Sequence, residues 1–267
     1  MKSILLYANK DAAILDRLDA ALNIAAAFDS HLHCLQVTPY EDYVVTDPFG
    51  GAYPAMELVE AIRAKEAANR SDMEGRLQRA GACWDWADET GNPDGTALDR
   101  MNLVDLAVVS LPGDENPHRS PAIAKLATRA ATPVLAVASG GARFDVGGKV
   151  LVAWNGSAEA SRALVQAAPL LKRAANVYIA TVAESSDMPS AILAAEYLGY
   201  HGIKAEVGDE PLGDGTVSDA ILCAAEETGS SYIVMGAYGH SRLRETIFGG
   251  VTRSLCERSP YSLFLAH

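Results

Sequence analysis

An internal duplication constrains this chain more than any other feature. The apolar run Ile4-Leu5-Leu6-Tyr7-Ala8-Asn9 leads into a helical stretch from Ala12 to Phe28, and Val150-Leu151-Val152-Ala153-Trp154-Asn155 leads likewise into Ala158 to Ala175. A second strand candidate follows each helix, Leu32 to Val37 and Val177 to Val182. Late in each half the correspondence returns. Leu106-Ala107-Val108-Val109 matches Ile233-Val234-Met235-Gly236, and Thr132-Pro133-Val134 matches Ser259-Pro260-Tyr261, both at an offset of 127, whereas the offset at the front is near 145. The first half thus carries roughly 18 extra residues between its second and fourth strands, and the stretch TPYEDYVVTDPFGGAYPA, broken by prolines and glycines, is expected to hold much of that surplus.

Continuously apolar strands that alternate with helices imply parallel strands covered on both faces. The expected fold class is therefore α/β, built as two tandem doubly wound parallel-sheet domains. A length of 267 residues fits two such units at roughly 150 residues per domain. ASGGARFDVGGKV, with Gly140, Gly141, Gly147 and Gly148, is the linker candidate, and it divides the chain into domains 1–145 and 146–267. In the second half the pattern predicts strands at 149–154, 176–183, 203–207, 231–236 and 261–266. Helices are predicted at 158–173, 189–200, 216–228 and 250–258.

Charge narrows the partners. Lys and Arg number 22 against 34 Asp and Glu, a net charge of -12, which disfavours a nonspecific grip on nucleic acid or an anionic membrane. The N-terminal apolar run is too short for a signal peptide, and no window approaches the ~18 apolar residues of a spanning helix. Cys34, Cys83, Cys223 and Cys256 show no metal-like spacing and read as reduced, small core residues. A cytoplasmic location is the expectation.

The chemistry is expected beyond the carboxyl ends of the strands, where strand order reverses. There GAYGHSRLRETIFGGVT places Gly236, Gly239, Gly249 and Gly250 between a strand and a helix, with His240, Arg242, Arg244 and Thr252 beside them. Glycines admit positive φ and close backbone approach, and a helix start carries partial positive charge. The bland alternative is a set of tight turns. Four glycines in one such loop, with cations close by in an acidic chain, favour anion binding. Of the nine basic residues in the second half, Arg242, Arg244, Arg253 and Arg258 fall around this loop.

The loop resembles the nucleotide motif of the ATP-binding universal stress proteins, Gly-x2-Gly-x9-Gly followed by Ser or Thr, here Gly236, Gly239 and Gly249. The strand order of both halves extends the resemblance over nearly the whole chain, as a tandem two-domain member. It implies Rossmann-like domains of the adenine nucleotide alpha hydrolase type. It further implies ATP, or the related AMP or ADP, in the C-terminal half. Ala153, Trp154 and Asn155 would lie near ribose and adenine, Thr181 and Val182 would flank adenine, and Met235, Gly236, Gly239, His240, Arg242, Gly249, Gly250, Val251 and Thr252 would wrap the phosphates. No motif marks a Mg2+ site. Asn155 stands where the family usually has Asp, keeping an acceptor oxygen but supplying no charge. Gly250 stands where Ser or Thr is usual, so a phosphate contact is lost unless Thr252 replaces it. The resemblance also implies that the final strands of the two halves pair within the chain. SPYSLFLAH would be a sticky edge if left unpaired, and a homodimer of the whole chain stays open.

An offset of 127 maps Gly236, Gly239, Gly249 and Gly250 onto Val109, Pro112, Ala122 and Ile123, so the first half is expected to bind no nucleotide in this way and to serve as a structural partner. His31 and His33 share a strand face, but no third metal ligand is evident beside them, and a structural role is favoured. Trp84 and Trp86 read as the packed face of a third strand, and Ser157 as a helix N-cap. The absence of HExxH, GxxxxGK[ST] and GxSxG motifs argues against an enzyme. The leading expectation is a stress-response nucleotide-binding regulator. The alternatives are a ligand-free interaction module and, behind it, a weak ATPase.

Overall fold

The computed structural model describes residues 1–39, 44–46, 52–54, 56–112, 121–182, 190–239 and 250–267. The N-terminal half runs β1 (Ser3–Tyr7), α1 (Ile14–Phe28), β2 (His31–Thr38), β3 (Val44–Thr46), β4 (Ala52–Pro54), α2 (Met56–Arg79), β5 (Cys83–Thr90), α3 (Pro93–Met101), β6 (Leu106–Ser110), α4 (Ile123–Arg129) and β7 (Val134–Val137). The C-terminal half runs β8 (Lys149–Trp154), α5 (Ala158–Leu171), β9 (Asn176–Val182), α6 (Ala191–Tyr200), β10 (Ala205–Glu210), α7 (Val217–Thr228), β11 (Tyr232–Gly236), α8 (Gly250–Arg258) and β12 (Ser262–Ala266).

Ten strands form one sheet in the order β10-β9-β8-β11-β12-β7-β6-β1-β2-β5. Within each half every neighbouring pair is parallel. The halves meet where β12 runs antiparallel to β7, with Phe264 opposite Leu135. The last strand of each half is therefore covered inside the chain, and SPYSLFLAH is no open edge. All five residues of β12 and all four of β7 are buried, as strands paired on both sides and covered on both faces must be.

Strand alternation sends side chains into two cores. Ile4, Leu6, Val152 and Val234 pack with α1, α2, α5 and α6 on one face. Leu5, Ala107, Leu151 and Ile233 pack with α3, α4, α7 and α8 on the other. Trp84 and Trp86 lie half-buried against the first core, as their alternation in β5 predicts.

Three expectations change. Residues 39–82 separate β2 from β5, against 183–204 between β9 and β10, and much of the difference is helical: α2 has 24 residues where α6 has 10. The broken stretch before α2 also supplies a small antiparallel hairpin, β3 with β4. The glycine-rich connection between β7 and β8 is pinned down. Phe144 and Val146 are buried, Phe144 packs on the Tyr232 ring, and the Ala142 N–H donates to the Pro260 carbonyl at 2.8 Å. Finally, Cys83 and Cys223 are exposed, and only Cys34 and Cys256 are core residues. Among the described residues no helix is long and apolar enough to cross a membrane.

Candidate functional site

In each half strand order reverses between the first strand and the fourth, β1 with β6 and β8 with β11. In a doubly wound sheet this is where a crevice is expected, beyond the carboxyl ends of the strands. In the C-terminal half it is bounded by the turn after β8, the start of α5, the segment after β11 and the start of α8.

The turn after β8 is built by Asn155-Gly156-Ser157. Gly156 has φ 69°, the Asn155 Oδ1 accepts from the Ser157 N–H at 3.1 Å, and the Ser157 Oγ accepts from the Ala160 N–H at 3.1 Å. Ser157 is thus the N-cap of α5, as expected. Asn155 is exposed, and with its oxygen held in the turn its amide is the group left to meet a ligand.

Gly236 ends β11 directly beneath α5. A Cβ on it would stand 2.5 Å from the Ala160 nitrogen, so close helix packing alone demands glycine there. A Cβ on Gly239 would stand 2.9 Å from the Glu159 Oε2, which places a carboxylate from the first turn of α5 beside the loop. Between the two glycines Tyr238 has φ 53°, a left-handed backbone that a bulky residue adopts at a cost of about 1–3 kcal/mol and that marks a locally strained segment. The Thr252 hydroxyl accepts from the Tyr238 N–H at 3.2 Å, and His267 Nδ1 lies 2.7 Å from the Ala237 carbonyl oxygen. Thr252 is buried and holds the loop, so its hydroxyl is not displayed at the helix start as a substitute for the missing serine. Gly250 opens α8 with nothing within 4 Å of where a Cβ would be. Burial pushes the Tyr238 hydroxyl up to about 12, with the Cys256 thiol beside it adding to the shift, and burial pushes Cys256 up to about 11. Neither is primed for nucleophilic work.

Ala153, Val182 and Met235 face the α7 and α8 side, while Trp154 and Thr181, neighbours in register, lie on the α5 side. The Thr181 Oγ1 is buried and has no hydrogen-bond partner among the described residues. Val251 follows Gly250 in the first turn of α8. His240, Arg242, Arg244 and Gly249 lie outside the described residues. Arg253 and Arg258 are not free cations for the crevice: Arg253 pairs with Glu257 at 2.8 Å and Arg258 with Asp219 at 2.5 Å.

The N-terminal crevice is filled from within. β6 and β11 share one burial pattern over five residues, so Ser110 stands where Gly236 does and Pro112 where Tyr238 does. This register corrects the uniform offset of 127, which had matched Gly236 to Val109 and Gly239 to Pro112: the offset is 126 in this strand and 129 in the last one, where Val134 beside Ala107 and Leu263 beside Ile233 hold the same place. On this register Gly239 falls on Gly113, which lies outside the described residues, so that glycine is kept in the sequence, while Pro112, with φ fixed near −65°, cannot take the conformation of Tyr238. α1 and α5 align through buried Leu18 with Leu164 and Ala21 with Ala167, which sets Arg17 against Ala163. Arg17 is 1% exposed. Its guanidinium donates to the Asp11 carboxylate at 2.8 Å, to the Ser110 hydroxyl and to the Asn9 carbonyl at 2.7 Å. It also lies 6.0 Å from the Tyr7 ring centroid. A cation of the protein's own thus sits between the ends of β1 and β6.

Arg17, Glu159 and Tyr238 carried no motif. Only the repeat alignment, which sets an arginine against a buried alanine, could have pointed to the first. For His31 and His33 the fold supplies the partner the sequence lacked: Asp85, from β5, reaches both rings. Burial pulls the Asp85 carboxyl up, and the two histidine contacts outweigh it and hold it below the usual carboxylate range.

Comparison with known proteins matches residues 148–267 to the Universal stress protein family. A universal stress protein of Synechocystis sp. is 31% identical over 122 residues, a match that covers 44% of this chain and 42% of the relative's length. A universal stress protein from Archaeoglobus fulgidus has a similar structure, with a TM-score of 0.75 at 19% identity, covering 99% of this chain and 97% of that one. A functionally unknown protein from Pseudomonas aeruginosa PAO1 gives a TM-score of 0.63 at 17% identity, covering 100% of this chain and 92% of that one. These two likenesses extend over both halves and establish the tandem doubly wound fold.

Proposed function

With a universal stress protein domain at residues 148–267, we propose that this chain is a stress-response regulator whose C-terminal half binds ATP or a related adenine nucleotide, one per chain, without turning it over as its main role. We divide it into domains 1–145 and 146–267. The observation that carries the proposal is the close approach of the segment after β11 to the first turn of α5, beside the switch point of β8 and β11. Gly236 and Gly239 bring backbone close, and among the described residues nothing crowds Gly250 at the start of α8 and the buried Thr181 hydroxyl at the end of β9 has no partner. Phosphates would meet the loop from Gly236 to Gly239 and the N–H groups of Gly250 and Val251. Ribose would meet Asn155, and adenine the ends of β8 and β9. His240, Arg242 and Gly249 complete the phosphate site in this reading. The filled crevice of Arg17 and Asp11 supports a structural role for the N-terminal half.

One observation favours a second reading, a ligand-free interaction module: the Glu159 carboxylate beside Gly239 would repel a free phosphate. Equilibrium dialysis of purified protein against ATP, ADP and AMP separates the two. The nucleotide reading predicts saturable binding that falls at least about 100-fold in the Gly239→Val, Gly249→Val double variant, about 2.7 kcal/mol at 25 °C. Unchanged binding in that variant would overturn the site, and absence of binding in the parent protein would leave the interaction module.

A further inference from the structure

A second site lies at the opposite end of the sheet from the nucleotide crevice. We propose that His31, His33 and Asp85 form a binding site for a divalent transition cation of the zinc type, on the face that β2 and β5 share at the N-terminal edge. This is independent of the nucleotide reading.

The backbone sets the geometry. His31 and His33 are two residues apart on β2 and so point to one face, with ring centroids 4.8 Å apart. The parallel register places Asp85 directly opposite His33 and Cys83 opposite His31, adding a carboxylate and an exposed thiol on the same face. One ligand atom from each of His31, His33 and Asp85 falls within a span of 4.8 Å. His31 Nε2 lies 2.8 Å and His33 Nδ1 2.7 Å from the same Asp85 oxygen, Oδ2. Two ring nitrogens and a carboxylate are a donor set that suits zinc and its neighbours. Zinc–nitrogen and zinc–oxygen bonds of about 2.0–2.2 Å set tetrahedral donors about 3.3 Å apart, so the two nitrogen–oxygen separations need to open by roughly half an ångström. Their side chains are 38–55% exposed, with room to move: His31 and His33 on β2 and Asp85 on the edge strand β5.

The outer partners are in place as well. His33 Nε2 lies 3.1 Å from the Ser3 Oγ, and that hydroxyl reaches the Leu103 carbonyl at 3.5 Å. With a cation held at Nδ1, the His33 Nε2–H would donate to this hydroxyl, which in turn would donate to the Leu103 carbonyl. A serine or carbonyl behind the distal ring nitrogen is the support that metal-bound histidines use to fix tautomer and orientation. Beside His33 and Asp85 a cavity of about 300 Å³, bordered by Leu5, Ala87, Arg100 and Leu103, gives water access to the remaining coordination positions.

The test uses untagged, chelator-treated full-length protein, titrated with Zn2+ by calorimetry and with Co2+ by visible absorption. The expected result is one tight site per chain whose affinity falls at least about 100-fold in His33→Ala and in Asp85→Ala. The metal-free variants should match the parent in circular dichroism and thermal midpoint, since all three side chains are at least one-third exposed. Absence of a stoichiometric site in the parent protein, or undiminished binding in the His31→Ala, His33→Ala double variant, would overturn the proposal.

Discussion

The two halves share one strand order and treat the same crevice in opposite ways. In the N-terminal half Arg17 and Asp11 fill the gap between β1 and β6, Ser110 lines it, and Pro112 forbids the left-handed turn. In the C-terminal half Ala163 replaces the arginine, Gly236 lets α5 approach, and Tyr238 holds φ 53°. The difference teaches that a duplicated α/β layer can keep its sheet while one copy builds an internal ion pair at the place where the other has alanine and glycine. A buried charge needs a partner wherever the sheet twist leaves a hole at the switch point. One copy carries its own and the other leaves the place open.

The comparison can be broken in several ways, and the largest effect should come where the halves join. Phe264 is fully buried opposite Leu135, and Phe264→Ala is expected to cost about 3–5 kcal/mol in urea unfolding. A single cooperative transition should report both halves, because one sheet runs through them. Two separate transitions would mean that the halves are energetically independent. Next comes the ion pair. Arg17→Met leaves Asp11, whose side chain is 15% exposed, without its counter-charge, and should destabilise by about 3 kcal/mol. A loss under about 1 kcal/mol would place this pair among surface bridges and remove the argument that it plugs the crevice.

A smaller effect tests the open copy. Glu159→Gln removes the carboxylate beside Gly239 and is expected to tighten adenine nucleotide binding about 3- to 10-fold, roughly 0.7–1.4 kcal/mol, measured by equilibrium dialysis. Weaker binding in this variant would mean that Glu159 assists the ligand, for instance through its metal ion. The smallest effect concerns pH. Hydrogen bonds from Thr216, from its side chain and backbone, and from Arg258 hold Asp219 down to about 2 from 3.8. A depressed carboxyl stabilises the fold fully above its unfolded value, and that contribution is lost as pH falls from 3.8 toward 2. Thermal midpoints of Asp219→Asn should therefore fall less steeply than the parent's across that window. An identical slope would remove Asp219 from acid unfolding.

Much of the fold was legible because the central strands are continuously apolar. β8, β11 and β12 were placed to within a residue, since a strand covered on both faces needs apolar side chains in both directions. β10 was read at 203–207 and runs Ala205–Glu210, because an edge strand carrying Glu206, Asp209 and Glu210 has no such signature. Gly236, Gly239 and Gly250 were singled out by spacing, and the structure packs the first two against the opening turn of α5. Glu159 and Tyr238 were not, because what matters about them is a close approach and a backbone angle. The one-residue slip at Val109 arose where the offset between the halves changes, and only the paired strands fix that register. Asp85 lies more than fifty positions from the histidines, so their meeting depends on the pairing of β2 with β5.

The central claim is that one crevice is open and its copy is closed. Native mass spectrometry of full-length protein with saturating ATP measures this directly. The account predicts one nucleotide per chain, lost in the Gly239→Val, Gly249→Val double variant and retained in a folded Pro112→Ala variant. Two nucleotides per chain, or one that survives the double glycine change, would contradict it.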